Sequence, residues 1–273
     1  LNTEEYYQYF EYGAVYSKWN YRLEDRAAEM ISLRSESSEV EPIQDYKETL
    51  TEVCTSTGLL LTEMQRKAIE MVFDNTISVI TGLPGTGKTT IQKVLVDFLE
   101  KRGITYRLVA PTGIAAKRLS QMTGKPAYTI HRAFGSKGSG EERKSTYYGV
   151  MEGAKKVSEE SKEQEVWENI LPVNVLICDE SSMMDQHLLY RVLKGTHNGC
   201  RLVFVGDSAQ LPSVGAGDVL KHLMHGFPTV TLTEIFRQAD TSDIIYAAHD
   251  IHRGEVPQLR ADKTSDFIHK WFF

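Results

Sequence analysis

One octapeptide constrains this chain more than anything else in it: Gly82-Leu83-Pro84-Gly85-Thr86-Gly87-Lys88-Thr89 fits the pattern G-x-x-x-x-G-K-[ST]. It follows a short apolar run, Ser78–Thr81, and precedes a segment whose Ile91, Val94, Leu95, Phe98 and Leu99 share one helical face until Gly103 closes it. A strand entering a glycine-rich turn that opens a helix gathers backbone N–H groups and the positive end of a helix dipole around one point. A polyphosphate suits that cradle. Gly82, Pro84, Gly85, Thr86, Gly87, Lys88, Thr89 and Thr90 are the nucleotide-binding candidates. Lys88 would reach the β- and γ-phosphates of ATP, and the Thr89 hydroxyl would bind Mg²⁺.

Around this motif the sequence alternates. Apolar runs recur at Tyr106–Ala110, Val173–Cys178, Leu202–Val205 and Val230–Leu232, with helical patterns between them. Such alternation predicts an α/β fold, a parallel sheet with helices on both faces, over residues 58–273. Residues 1–57 are expected to form a small helical N-terminal region, with Asn2 or Thr3 as a cap ahead of Glu4 and Glu5 and a polar loop over Ser35–Pro42. Its crowded aromatics (Tyr6, Tyr7, Tyr9, Phe10, Tyr12, Tyr16, Trp19 and Tyr21) read as a packing face rather than a base-stacking platform. Residues 135–165, rich in Gly, Ser, Lys and Glu, are expected to be a mobile insertion.

Composition removes some classes. No apolar run reaches the roughly 18 residues of a membrane span. Cys54, Cys178 and Cys200 form no CxxC pair and no metal spacing, which points to the cytoplasm. The chain starts at Leu1 and stops at the apolar Trp271-Phe272-Phe273, so it reads as an excised fragment. The net charge of −6 conceals a division: residues 1–60 carry −7 and the remainder +1. From Lys101 to Lys137 there are eight basic residues and no acidic one, which is either a phosphate-binding tract or a solvated surface.

Asp179-Glu180 ends the run Val173–Cys178, where α/β sheets present functional groups. Asp179 can hold Mg²⁺ through water, and Glu180 can orient and deprotonate an attacking water; the alternative is a pair of helix-capping carboxylates. Gln210, beyond the run Leu202–Val205, could contact a γ-phosphate and report its loss, or be part of an ordinary turn. Arg237, beyond the next run, could act as a finger on the transition state, an effect worth about 10³–10⁵ in rate.

Taken in order, these segments resemble a known set. Leu61-Thr62-Glu63-Met64-Gln65, the glycine-rich octapeptide, Ala110-Pro111-Thr112-Gly113 with Lys117-Arg118, Thr129-Ile130-His131-Arg132, Asp179-Glu180-Ser181-Ser182-Met183, Gly206-Asp207 with Gln210-Leu211-Pro212, and Thr233-Glu234-Ile235-Phe236-Arg237-Gln238 follow the order of RecD-like superfamily 1 DNA helicases. That is the exodeoxyribonuclease V alpha-subunit family, with roles in DNA repair and recombination. The resemblance spans about residues 58 to 260. It implies a first RecA-like P-loop NTPase motor domain, ATP and Mg²⁺, and 5′-to-3′ movement on single-stranded DNA, with helicase–nuclease subunits as possible partners. It implies catalytic roles for Lys88, Glu180, Gln210 and Arg237, and a metal site at Thr89 and Asp179. Gln65 looks like an adenine reader, although Thr62-x-x-Gln65 is also a capping box. Thr112, Lys117, Arg118, Thr129 and His131 resemble DNA-gripping residues.

Nothing after Arg237 resembles the motifs of a second motor domain, so this chain is expected to hold half of a two-lobed machine. Two other readings stay open: the helicase portion of a conjugative relaxase, and a nucleotide-gated binding module without turnover.

Overall fold

The buried strands carry one alternation that organises everything else. In a computed structural model, which describes residues 7–9, 15–36, 40–135, 170–234, 247 and 250–256, six strands form one sheet. They are β3 (Ile77–Gly82), β4 (Tyr106–Ala110), β5 (Ala127–Thr129), β6 (Val175–Cys178), β7 (Arg201–Gly206) and β8 (Thr229–Leu232). Every pairing is parallel, in the order β5-β4-β6-β7-β3-β8. Strands buried on both faces read as continuous apolar runs, and successive side chains go to opposite sides. Leu176, Cys178, Leu202 and Phe204 enter one core, while Val175, Ile177, Val203 and Val205 enter the other.

Helices cover both cores. One face holds α3 (Glu63–Asp74), α4 (Lys88–Lys101) and α2 (Tyr46–Thr57), through Ile69, Phe73, Ile91, Phe98, Leu50 and Val53. The other holds α7 (Gln186–Lys194) and α8 (Val219–Gly226), through Leu188, Val192, Val219 and Leu223. The face predicted for the segment after the octapeptide is borne out: Ile91, Val94, Leu95, Phe98 and Leu99 are all buried, and Gly103 takes φ +65° just past the helix. Shorter helices α5 (Gly113–Thr123) and α6 (Ile130–Ala133) flank β5.

Within residues 1–57 the helical expectation holds for α1 (Lys18–Glu36) and α2. Ahead of them, Tyr7–Tyr9 (β1) and Val15–Ser17 (β2) pair antiparallel instead, as tyrosine and valine favour a pleated surface. The expected cap at Asn2 or Thr3 lies outside the described residues, as do residues 136–169, which hold most of the expected insertion, and the terminal Trp271-Phe272-Phe273. α1 runs on to Glu36, two residues into the loop expected over Ser35–Pro42, and carries Arg34 in its last turn. From there Arg34 donates Nη1 to the carbonyls of His197 (2.6 Å) and Cys200 (2.8 Å) and Nη2 to Thr196 O (3.1 Å) and Oγ1 (2.9 Å). This buried guanidinium closes the C-terminal end of α7, where helix carbonyls lack partners. Arg201 does the same for α3, donating to Val72 O (3.2 Å) and Phe73 O (2.9 Å), and it also holds the carbonyl of Glu41.

Candidate nucleotide site and adjoining groove

The C-terminal edge of the sheet collects the predicted chemistry. β3 delivers the glycine-rich loop, in which Gly85 (φ 82°) and Gly87 (φ 86°) take left-handed backbone that a side chain would resist. Thr86, buried, locks the loop by donating Oγ1 to Leu83 O at 2.8 Å. Lys88 begins α4 and donates Nζ to the carbonyls of Gly82 and Leu83, the latter at 3.2 Å. Burial lowers its pKa, against the raising effect of Asp207, Glu180 and Asp179. Thr89 and Thr90 follow in the first turn, half-buried.

From β6 come Asp179 and Glu180. Burial raises the pKa of both carboxyls; a hydrogen bond from Gln92 offsets this at Asp179, and Arg118 offsets it at Glu180. Gln92 Nε2 donates to Asp179 Oδ1 at 2.8 Å, which fixes the carboxylate's orientation. Glu180 has φ 50°, a conformation that non-glycine residues rarely hold and that marks a site where strain is tolerated. A 3₁₀ turn, Ser181–Met183, follows it, and there Ser182 Oγ donates to Gln210 Oε1 at 3.3 Å. Gln210 is thereby tied to the loop that carries Glu180. Directly after β7 comes Asp207, buried, whose Oδ1 accepts from Ala209 N at 3.0 Å.

Hydroxyl and carboxylate oxygens are the donors that a hard divalent cation takes, so Thr89 with Asp179 fits Mg²⁺ in chemistry. Lys88 and Arg118 face three carboxylates, Asp179, Glu180 and Asp207, beside the phosphate cradle. Arg237 lies outside the described residues.

Gln92 escaped the sequence reading, and Asp207 entered it only within the motif Gly206-Asp207, with no role assigned. Gln92 stands four residues after Lys88, one turn further along the same helix face, and is polar among buried apolar neighbours; that misfit was the available signal. Asp207 directly follows a buried strand as Asp179 does.

Gln65 stands in the first turn of α3. Its backbone N–H donates to Thr62 Oγ1 (3.3 Å), its Oε1 accepts from Thr62 N (3.1 Å), and its Nε2 reaches Thr86 O at 3.5 Å. The side chain is buried, completes the capping box of α3 and braces the glycine-rich loop at Thr86.

The candidate DNA residues separate into two groups. A groove of about 340 Å³ is lined by Gly113, Lys117, Ser120, Tyr128, Thr129 and Arg132 among others, between α5 and the β5–α6 turn. Tyr128 sits between two guanidinium groups, Arg107 at 5.1 Å and Arg132 at 5.6 Å from its ring centre. Thr112 and Thr129 cap α5 and α6, accepting from Ala115 N (3.2 Å) and Arg132 N (3.1 Å). A capping hydroxyl keeps its own proton to donate. Thr112, Arg118 and His131 do not line the groove. The Arg118 guanidinium lies 3.9 Å from Glu180 Oε1. Partial burial and Arg191 hold the His131 pKa below the usual imidazole range, against Asp185.

The acid-free tract divides likewise, because its acidic partners lie elsewhere in sequence. Lys101 pairs with Glu52 and Lys125 with Glu100, each at 2.6 Å, and Arg102 holds the carbonyls of Gln44 and Asp45.

A parallel sheet with a glycine-rich phosphate loop after one strand and acidic residues directly after two others defines a P-loop nucleotide-binding domain. The AAA-domain family model matches residues 60–271, and the chain belongs to that family. It is 37% identical over 197 residues to the ATP-dependent RecD2 DNA helicase of Deinococcus radiodurans, covering 72% of this chain and 24% of that protein. It is 34% identical over 186 residues to the RecBCD enzyme subunit RecD of Mycobacterium tuberculosis, covering 60% of this chain and 29% of that one. Among solved structures it is similar to the Pif1 helicase from Candida albicans, at 24% identity and a TM-score of 0.49, over 73% of this chain and 45% of that one. The chain spans about a quarter of the length of the curated relatives it matches. The RecD-like resemblance of the ordered motifs is borne out by these relatives, and no helix among the described residues is long and apolar enough to cross a membrane.

Proposed function

We propose that this chain is the first motor lobe of an ATP-dependent DNA helicase, binding ATP with Mg²⁺ and moving 5′-to-3′ on single-stranded DNA as part of a two-lobed protein. The observation that carries the reading is the convergence of Lys88, Asp179, Glu180 and Asp207 at one sheet edge, on the same sheet whose edge strand β5, with α5 and α6, builds the groove of Lys117, Tyr128, Thr129 and Arg132. The glycine-rich loop binds the triphosphate through backbone N–H groups, and Lys88 supplies the point charge. Thr89 and Asp179 would hold Mg²⁺, which would neutralise phosphate charge. Glu180 takes a proton from the attacking water, Gln210 senses the γ-phosphate through its tie to the Glu180 loop, and Arg237 stabilises charge as the bond breaks. The strand runs in the groove, its phosphates held by Lys117, Arg132 and the Thr112 and Thr129 hydroxyls. Helicase–nuclease subunits are the partner class, and the cytoplasm the compartment.

A binding module without turnover would have no use for a half-buried carboxyl beside an oriented Asp179. The test is steady-state ATP hydrolysis by the full-length protein with and without single-stranded DNA. Turnover stimulated by DNA is the expected result, and nucleotide binding without turnover would refute the motor reading.

A further inference from the structure

Among the buried side chains of α4, Gln92 alone is polar, and only 1% of it is exposed. An amide taken out of water is unfavourable unless it is hydrogen-bonded. Gln92 meets that need on a carboxylate 87 residues away in sequence, donating Nε2 to Asp179 Oδ1 at 2.8 Å. The backbone N–H of Glu180 hydrogen-bonds the same carboxylate. Gln92 also stands three residues after Thr89 and four after Lys88, which puts it on their side of the helix. One helix thus carries Thr89, one of the two residues that fit Mg²⁺, and orients Asp179, the other.

This bears on which cation the site accepts. A carboxylate held by Gln92 on one oxygen and by a backbone donor has little freedom to turn both oxygens toward one point. Mg²⁺ suits such a group: it binds oxygens at about 2.0–2.1 Å, keeps several waters and needs few protein ligands. Ca²⁺ takes up to about eight oxygens at about 2.3–2.6 Å, and readily draws two of them from one carboxylate. A hydrogen bond on Oδ1 stands in the way of that second contact. Partners that orient a metal ligand in this way typically change metal affinity by about 10–100-fold.

We infer that Gln92 is a positioning residue that makes the site select Mg²⁺ over Ca²⁺, by holding one Asp179 oxygen and leaving the other to the cation or its water. The inference rests on the nucleotide-binding reading above.

The experiment measures the Kd of a fluorescent, non-hydrolysable ATP analogue by anisotropy, in saturating Mg²⁺, in saturating Ca²⁺ and in chelator. It uses the full-length protein and its Gln92→Leu and Gln92→Met variants, which keep the bulk of the side chain and remove the donor. The parent is expected to bind more tightly with Mg²⁺ than with Ca²⁺ by about tenfold or more. Each variant should lower that ratio by about tenfold, with the Kd in chelator close to the parent's. A general disturbance of the loop or the fold would weaken binding in all three media alike and leave the ratio where it was. An unchanged ratio in a folded variant would therefore overturn the inference. Equal affinities with the two cations in the parent would overturn it without any variant. Absence of binding by the parent in every medium is a different result: it refutes the nucleotide site, and the inference falls with it.

Discussion

At the end of α1 the Arg34 guanidinium is closed in by carbonyls of α7 and the turn after it, whereas at the sheet's C-terminal edge Asp179, Glu180 and Asp207 lie close enough to Lys88 for each to act on its charge. Both regions take charge out of water, which is costly unless the charge is paired and hydrogen-bonded. Around Arg34 that cost is offset by neutral acceptors at a helix end, and nothing in the arrangement invites an exchange. In the cleft it is offset only in part: Lys88 leans on loop carbonyls, burial lifts both carboxyl pKa values, and Glu180 holds a strained backbone. A buried charge saturated by backbone is structural. Crowded charges with spare valence mark the place where a charged ligand is meant to arrive.

Neutralising a charge in each region should therefore have opposite consequences. The largest effect is expected from Glu180→Gln, which should lower ATP turnover by about 10²–10⁴-fold while leaving ATP affinity close to the parent's, as only proton removal is lost. Single-turnover hydrolysis alongside equilibrium binding checks both halves. Arg34→Ala should act on the fold, since it leaves several carbonyls at the end of α7 without donors. A loss of about 3 kcal/mol is expected, seen in calorimetric melting as a fall in Tm of about 6–12 °C. ATP affinity of the folded protein should be unchanged. If Arg34→Ala instead removed ATP binding at temperatures where the protein stays folded, the two regions would not be separable as drawn.

The same contrast explains what could be read without coordinates. The glycine-rich loop and Asp179-Glu180 are legible because their chemistry is local: a turn and two strand ends, each set by neighbours in sequence. The strands Tyr106–Ala110 and Leu202–Val205 are legible because burial on both faces leaves only apolar residues. Arg34 looked like one more charge near a polar loop, because its acceptors lie more than 150 residues away. β5 is only three half-buried residues, Ala127–Thr129, and has no apolar run to announce it. Arg118 fell with Lys117 in one basic dipeptide, and only helical geometry sends the two to different sites. Gln65 is ambiguous in sequence because cap and ligand contact ask for the same side chain, and the structure shows the cap formed.

Smaller effects sharpen the comparison at the groove. Each strand phosphate neutralised contributes about −0.7 to the slope of log K against log salt. If Lys117 meets one phosphate, Lys117→Ala should make that slope shallower by about 0.7, alike for all sequences. Titration of labelled oligonucleotides at several salt concentrations measures it, and an unchanged slope would take Lys117 out of the track.

The smallest effect is thermodynamic. Carboxyls whose folded pKa is raised above the unfolded value favour the fold when protonated, and that contribution is lost as pH rises through the folded pKa. The parent should therefore lose stability relative to an Asp179→Asn/Glu180→Gln variant as pH climbs from below the ordinary carboxylate range toward neutrality. At neutral pH, without nucleotide, the variant should melt above the parent, and the gap should close in acid. A gap that widens in acid would mean that these carboxylates stabilise the fold as anions.

Titration of ATP with Mg²⁺ into the full-length protein and its Lys88→Ala variant, followed by calorimetry, bears most directly on the central claim that this cleft is a nucleotide site. Removing a charge-assisted contact to phosphate is expected to weaken binding by about 10–100-fold, with the melting temperature without nucleotide little changed. Equal ATP affinity in variant and parent would contradict the assignment of the cleft.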